Sequence, residues 1–307
     1  MKVALLQGGR SLERGVSIRS GQRVTEALLD LGHEVDVLDL GPELVTSLET
    51  NRPDAAFIAL HGTEGEDGTV QALLELLGIP HTGPGVAACK RCMDKSLAKY
   101  ILQEHGLPTP SWVTYSEAAI RDFGAASTFG AAVERVGLPL VAKPCSQGSS
   151  LGVKVVTEME QIPGALITAL SYDSRALLET WVSGRELAVS VLGGEALPVV
   201  EAIPTESPTY DFEARYEIGG ASFECPAQLS AGETTEVERV ALAAYEALGC
   251  SGFARVDLIL GDSGPQVLEI NAIPGLTETS LLPQAAEAAG LDFNAMVQKI
   301  LDLAVNG

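Results

Sequence analysis

The chain has 307 residues, 46% of them hydrophobic and 20% charged, enough for two or three domains with substantial cores. A formal net charge of −21 argues against a nucleic-acid binder, because phosphate backbones demand clustered Lys and Arg. No apolar stretch is long enough to span a bilayer, and the run from Met1 to Gly9 is too short and lacks the cleavage pattern of a signal peptide, so a cytoplasmic protein is expected.

The first third alternates strand and helix. Val3 to Leu6 reads as a strand, Val16 to Leu31 as a helix, and Val35 to Leu38 and Ala55 to Leu60 as further strands. Strands separated by helical patterns imply βαβ units and a parallel sheet. Functional loops in such sheets lie beyond the carboxyl ends of strands, where Gly8 to Glu13 and His61 to Gly68 stand. A second region starts near Met93-Asp94-Lys95 with a helix to His105, and Gly106-Leu107-Pro108-Thr109-Pro110 then punctuates the chain. Beyond it come a helical stretch near Ala125 to Val136 and two strands, Leu140 to Lys143 and Val153 to Val156. The last region begins near Glu186, with strands to about Ile203, a polar loop to Gly220 and a hairpin. Helices near Thr234 to Leu248, Pro283 to Ala289 and Phe293 to Val305 flank that hairpin. The breaks divide the chain into 1–92, 93–185 and 186–307.

Five cysteines, Cys89, Cys92, Cys145, Cys225 and Cys250, form no paired framework. Cys89 and Cys92 have C-x-x-C spacing, which suits metal or redox chemistry. No second pair or nearby His completes a zinc site, so two buried, neutral thiols in a reducing compartment are expected.

Three constellations carry chemistry. In the hairpin, Phe253-Ala254-Arg255-Val256-Asp257 faces Leu268-Glu269-Ile270-Asn271 across the turn from Gly261 to Gly264. Alternate strand residues share a face, so Arg255 pairs with Asp257 and Glu269 with Asn271. Two carboxylates and an amide oxygen are hard ligands that suit Mg²⁺ held jointly with phosphates; the alternative is a solvated hairpin face. Gln147-Gly148-Ser149-Ser150-Leu151-Gly152 links strands carrying Lys143 and Lys154. Its glycines and hydroxyls can approach a phosphate, but no helix follows, which excludes a P-loop and suggests a flap over a nucleotide; a plain turn is the alternative. Glu179 and Glu186 flank a hinge and offer acceptors for an adenine amine or ribose hydroxyls, or are solvated charges.

Together these residues resemble an ATP-grasp enzyme and, more narrowly, the D-alanine–D-alanine ligase family. The likeness is carried, in family order, by Gly8-Gly9-Arg10-Ser11-Leu12-Glu13, Leu60-His61-Gly62, Gly65-Glu66-Asp67-Gly68, Met93-Asp94-Lys95, Lys143-Pro144 and Gly148-Ser149-Ser150. It continues through the run Tyr210 to Tyr216, Cys225-Pro226-Ala227, Gly252 to Asp257, Glu269-Ile270-Asn271, Pro274-Gly275 and Thr279 to Leu282, over essentially the whole chain. The resemblance implies a three-domain ATP-grasp protein, α/β and α+β, with an N-terminal parallel α/β domain and ATP clamped between the central and C-terminal domains. It implies condensation of two D-alanines through an acyl-phosphate, in the service of peptidoglycan synthesis.

By the same resemblance, Asp257, Glu269 and Asn271 hold two Mg²⁺ ions, with Mn²⁺ as a substitute. Lys95 and Lys143 contact phosphates, Glu179 and Glu186 hold adenine and ribose, and Arg215 adds charge. Arg255 and the Gly275 N–H stabilise the acyl-phosphate and the tetrahedral oxyanion. Glu13 receives the ammonium of the first D-alanine, with His61 near its carboxylate. Ser280 and the Leu281 backbone receive the carboxylate of the second. Ser149 and Tyr216 join Glu13 in a network that closes the 210–216 loop over the site and excludes water. Tyr216 favours D-alanine as second substrate over D-serine or D-lactate, and a homodimer is expected. Two departures stand out: Gly15 where many members have Glu, and Arg215 where Lys is more frequent. A different ATP-grasp ligase, or a nucleotide-binding regulator without activity, are the alternatives.

Overall fold

The computed structural model describes residues 1–204 and 221–306. Arg215, Tyr216 and the rest of the 210–216 run lie outside the described residues. In the first sheet, β1 (Lys2–Gln7) lies between β2 (Glu34–Asp39) and β3 (Ala55–Ile58), all parallel. Val3 to Leu6 and all of β3 are buried, as the apolar strands of a parallel sheet covered on both faces must be. Helix Arg14–Asp30 packs on β1 and β2 through a stripe that includes Val24, Ala27 and Leu28.

The second sheet is antiparallel, in the order β4 (Trp112–Ser116), β7 (Arg175–Thr180), β5 (Leu140–Pro144), β6 (Lys154–Val156). Helices Phe129–Val136 and Ile162–Leu170 cover it and close a core of its own around Tyr115, Leu140, Leu166 and Leu178. The helical stretch expected from Ala125 begins as a short 3₁₀ turn, Ala125–Thr128. Strands β4 and β7 escaped the sequence reading, as did helices Leu44–Thr50, Thr69–Leu76, Glu117–Asp122 and Ile162–Leu170.

The third sheet runs β11 (Ala221–Glu224), β10 (Val200–Pro204), β8 (Arg185–Leu192), β12 (Phe253–Gly261), β13 (Gly264–Asn271), with β9 (Glu195–Ala196) on β8. Helix Ala231–Ala247 packs on this sheet, started by a reciprocal cap between Ser230 and Glu233. Helix Phe293–Asn306 does not flank the hairpin, contrary to its place in the sequence. Its stripe of Met296, Val297, Ile300 and Leu301 returns to the first sheet and packs on helix Arg14–Asp30 and β3. The Arg23 guanidinium lies 3.9 Å over the Phe293 ring at that junction. One apolar core therefore runs from Leu5 and Phe57 through Phe253 and Ile270 to Ile300, while the second sheet stands on a separate core.

Candidate active site

The hairpin register puts Arg255 opposite Asn271 and Asp257 opposite Glu269, just before a bulge between Asp257 and Leu258. Arg255 Nε donates to Asp257 Oδ1 at 2.7 Å and Nη2 to Oδ2 at 2.8 Å, a two-point pair at a nearly buried position. Asn271 Nδ2 adds a third bond to Asp257 at 2.9 Å. The shared face expected of Arg255 and Asp257 is thus present, and the two form a salt bridge along it.

Helix Lys95–Glu104 sets two lysines against this face. Asp94 caps it by accepting from the N–H groups of Ser96 and Leu97, both at 3.1 Å, and is itself held by Arg175 at 2.6 Å. Lys95, in the first turn, lies 2.9 Å from Glu269 Oε2 and donates to the Gln147 carbonyl at 2.6 Å. Lys99 follows one turn later on the same side. It is wholly buried and lies 2.5 Å from Glu179 Oε2, whose other oxygen accepts from Lys143 at 2.7 Å. Burial would raise the Glu179 carboxyl, but Lys143 and Lys99 prevail and hold it below the ordinary glutamate value. Burial brings the Lys99 ammonium down to about 8, despite Glu179, and nearby Lys143 adds to the drop. Lys99 is a buried charge beside the cleft that sequence reasoning missed. Its signal was a lysine four residues beyond Lys95 on the apolar side of the helix.

Strand β7 passes into β8 through Trp181 to Gly184, so the expected hinge joins the second and third sheets. It forms one wall of a cleft of about 580 Å³, lined among others by Lys143, Lys154, Glu179, Glu186, Leu268 and Glu269. The mixture of aliphatic side chains with charged groups of both signs fits a planar base attached to a polyanion.

Beyond Lys95 the cleft gives way to a second group. Glu13 precedes helix Arg14–Asp30 and is buried against the Gly148–Ser149 turn; Ser149 Oγ donates to its Oε1. Ser149 and Ser150 hold φ values of 52° and 56°, the left-handed region that costs a non-glycine residue about 1–2 kcal/mol. The same turn carries the Ser149 hydroxyl that bonds Glu13. Burial first, and the Glu66 carboxylate second, push the Glu13 carboxyl above its ordinary value, against the Ser149 bond. Gly62, at φ +73°, lets the backbone pass here: a Cβ on it would sit 2.5 Å from Glu13 Oε2.

His61 is buried and fully bonded. Ser20 Oγ accepts the Leu276 N–H at 3.2 Å and is hydrogen-bonded to His61 Nε2 at 2.9 Å. Nδ1 faces the Ile273 carbonyl at 3.2 Å. The Pro274–Thr277 turn is thereby fastened to helix Arg14–Asp30, with Arg23 also donating to the Leu276 carbonyl at 2.9 Å. Ser280 caps the same turn by accepting the Thr277 N–H at 2.9 Å, and Leu281 opens helix Leu281–Ala288. A Cβ on Gly275 would stand 2.7 Å from Ser280 Oγ, so only glycine lets the two approach.

The fold thus brings together Glu13, His61, Lys95, Ser149, Asp257, Glu269, Asn271 and Arg255, with Lys143, Glu179 and Glu186 around the adjoining cleft and Gly275, Ser280 and Leu281 on the facing turn. Arg215 and Tyr216 lie outside the described residues. Cys89 and Cys92 are buried, Cys92 Sγ lies 3.5 Å from Cys250 Sγ, and burial pushes the Cys89 thiol up. Among the described residues, no group of three or more His, Cys, Asp and Glu is arranged to hold a metal on its own. No described helix is long and apolar enough to cross a membrane.

Comparison with known proteins matches this arrangement along its full length. The family model described as D-ala D-ala ligase C-terminus matches residues 101–302, and that of D-ala D-ala ligase N-terminus matches residues 43–84. The D-alanine–D-alanine ligase of Moorella thermoacetica is 42% identical over 99% of both chains. That of Synechococcus sp. (strain JA-3-3Ab) is 41% identical over 98% of this chain and 93% of its own. Among solved structures, a D-alanine–D-alanine ligase from Bacillus anthracis complexed with ATP superposes with a TM-score of 0.86 at 32% identity, covering 100% of this chain and 98% of that one. The enzyme from Coxiella burnetii gives 0.81 at 28% identity, covering 100% and 94%. With both family models matched in order and relatives aligned end to end, the chain belongs to the D-alanine–D-alanine ligase family.

Proposed function

We propose that this protein is an ATP-dependent D-alanine–D-alanine ligase that supplies D-alanyl-D-alanine for peptidoglycan. The observation that carries this is the contact between two half-sites: Lys95, on Glu269, joins a cleft suited to a nucleotide to the pocket around Glu13. The three units take the bounds 1–92, 93–185 and 186–307, with ATP between the second and third. Lys95 and Lys143 face the phosphates. Glu186 receives the ribose, and Glu179, with both oxygens on lysines, anchors the adenine end.

Asp257 and Glu269, opposed across the hairpin with Asn271 beside them, form an all-oxygen donor set that fits Mg²⁺ shared with phosphates. Two such ions, when bound, supply positive charge to the phosphate oxygens. Glu13 binds the ammonium of the first D-alanine, while His61, through its bonds to Ser20 and Ile273, fixes the floor beneath the carboxylate. That carboxylate attacks the γ-phosphorus, and ADP leaves. The second D-alanine, its carboxylate held by Ser280 and the Leu281 N–H at the start of a helix, attacks the acyl carbon through its free amine; inorganic phosphate leaves and the nitrogen gives up a proton. Arg255 and the Gly275 N–H face the negative charge that develops at each step. Ser149 steadies Glu13, and Tyr216 and Arg215 belong to the closing 210–216 loop. A homodimer working in the cytoplasm, where ATP is available, completes the proposal.

Phosphate release from ATP with Mg²⁺, measured with and without D-alanine and followed by mass spectrometry, tests it. D-alanine-dependent release with dipeptide formed is the expected result. ATP binding without stimulation by D-alanine would redirect the search to other D-amino or hydroxy acids.

A further inference from the structure

Lys99 takes no direct part in the chemistry above, yet it is among the most deeply buried charges in the described chain. Its ammonium donates to Thr109 Oγ1 at 2.6 Å and to the Pro110 carbonyl at 3.2 Å, and is ion-paired with Glu179 Oε2 at 2.5 Å. Thr109 passes its own proton to the Val267 carbonyl at 2.8 Å, and the Val267 N–H donates to Pro108 at 2.9 Å. Val267 stands on β13 two residues before Glu269, to which Lys95 is paired. One turn of a single helix therefore grips both walls of the cleft. Lys99 holds the second sheet through Glu179, and Lys95 holds the third through Glu269.

The charge balance gives this a functional sense. Lys143, Lys99 and Glu179 together carry one net positive charge. Lys143 already donates to Glu179 at 2.7 Å, so without Lys99 the two charges would cancel and this part of the cleft would keep no net positive charge. We infer that Lys99 is a positioning residue for nucleotide binding: it neutralises Glu179 from behind, leaves the Lys143 charge for a polyphosphate, and ties that charge to the strand bearing Glu269. This rests on the nucleotide reading of the cleft.

The test compares wild type, Lys99→Met, Glu179→Gln and the double variant by calorimetric binding of ATP with Mg²⁺, with KM for ATP and for D-alanine measured alongside. Lys99→Met should weaken ATP binding about tenfold, the size expected for a lost charged hydrogen bond. KM for D-alanine should stay within about twofold, a shift too small to report a lost contact. Glu179→Gln alone loses a contact to the nucleotide, so the double variant is read against it: if Lys99 acts through Glu179, adding Lys99→Met should cost less than about twofold more, whereas a role independent of Glu179 predicts the full, roughly tenfold further loss. Thr109→Val, which removes an acceptor and no charge, serves if Lys99→Met does not fold, and should lose about threefold. Wild-type ATP affinity in Lys99→Met, or in Thr109→Val where that replaces it, overturns the inference, as does a double variant about tenfold weaker than Glu179→Gln. A wild-type protein that binds no ATP overturns the nucleotide reading itself.

Discussion

Replacing Gly62 by Ala places a methyl group where the space beside Glu13 has no room for it. The new Cβ would lie 2.5 Å from Glu13 Oε2 and 3.1 Å from the Ser11 side chain. Ordinary contact begins near 3.5 Å, so the carboxylate must retreat by about 1 Å. It cannot do so freely, because Ser149 holds it on one side and Gly148 closes on the other. The backbone also suffers, since φ is +73° and a left-handed Ala costs about 1–2 kcal/mol. Gly32→Ala isolates that second effect, being at φ +81° with nothing within 4 Å of the added Cβ. A misplacement of about 1 Å in a group that orients substrate can cost about a hundredfold in rate. At saturating ATP, kcat/KM for D-alanine should therefore fall about a hundredfold in Gly62→Ala and hardly at all in Gly32→Ala. Thermal midpoints should fall in both, by a few degrees per kcal/mol. If the two variants turn over D-alanine equally well, Glu13 does not orient the first substrate.

Arg255→Ala should abolish ligation, with a loss of at least about a hundredfold in kcat, while ATP still binds; near-normal turnover would refute its role at the developing charge. Glu269→Gln should raise the Mg²⁺ concentration required for half-maximal phosphate release by about tenfold, and an unchanged Mg²⁺ titration would remove Glu269 from the metal set. Glu13 must be ionised to hold an ammonium, and its value lies above that of an ordinary glutamate. KM for the first D-alanine should therefore rise as pH falls, at a higher pH than a free carboxylate would give. A Glu13→Gln variant with the same acid limb would exclude that origin. Lys99 titrates in the fold at about 8, below its ordinary 10.5, facing Glu179, Lys143 and Glu269. The unfolded chain then binds more protons between these values, so wild type should gain stability relative to Lys99→Met as pH rises from about 8 to 10.5. Urea unfolding at pH 7.5 and 9.5, about the two sides of that midpoint, measures the difference.

The parallel first sheet and the hairpin were legible because each is announced locally. Val3 to Leu6 is a continuous apolar run, and Arg255, Asp257, Glu269 and Asn271 sit at alternating positions whose faces a strand fixes without further help. Strand β7 was not legible as a strand, because Glu179 interrupts its apolar run and the ammonium groups that justify the glutamate come from helix Lys95–Glu104 and β5. Helix Phe293–Asn306 was assigned the wrong neighbours for a similar reason: its apolar stripe specifies that it is buried, not against what.

Sequence alone thus determined the parallel first sheet, the hairpin and which side chains share a face of one element, since 2.0- and 3.6-residue periods are properties of the local backbone. It also carried the family, through motifs laid out in order. Only the tertiary structure decided the pairings across distance: Lys95 with Glu269, Ser149 with Glu13, Ser20 with His61, and Lys99 with Glu179. Each of these stabilises a buried charge or polar group by a partner from another part of the chain. No local period encodes such a partner, because burial creates the need for it only after the sheets and helices have packed.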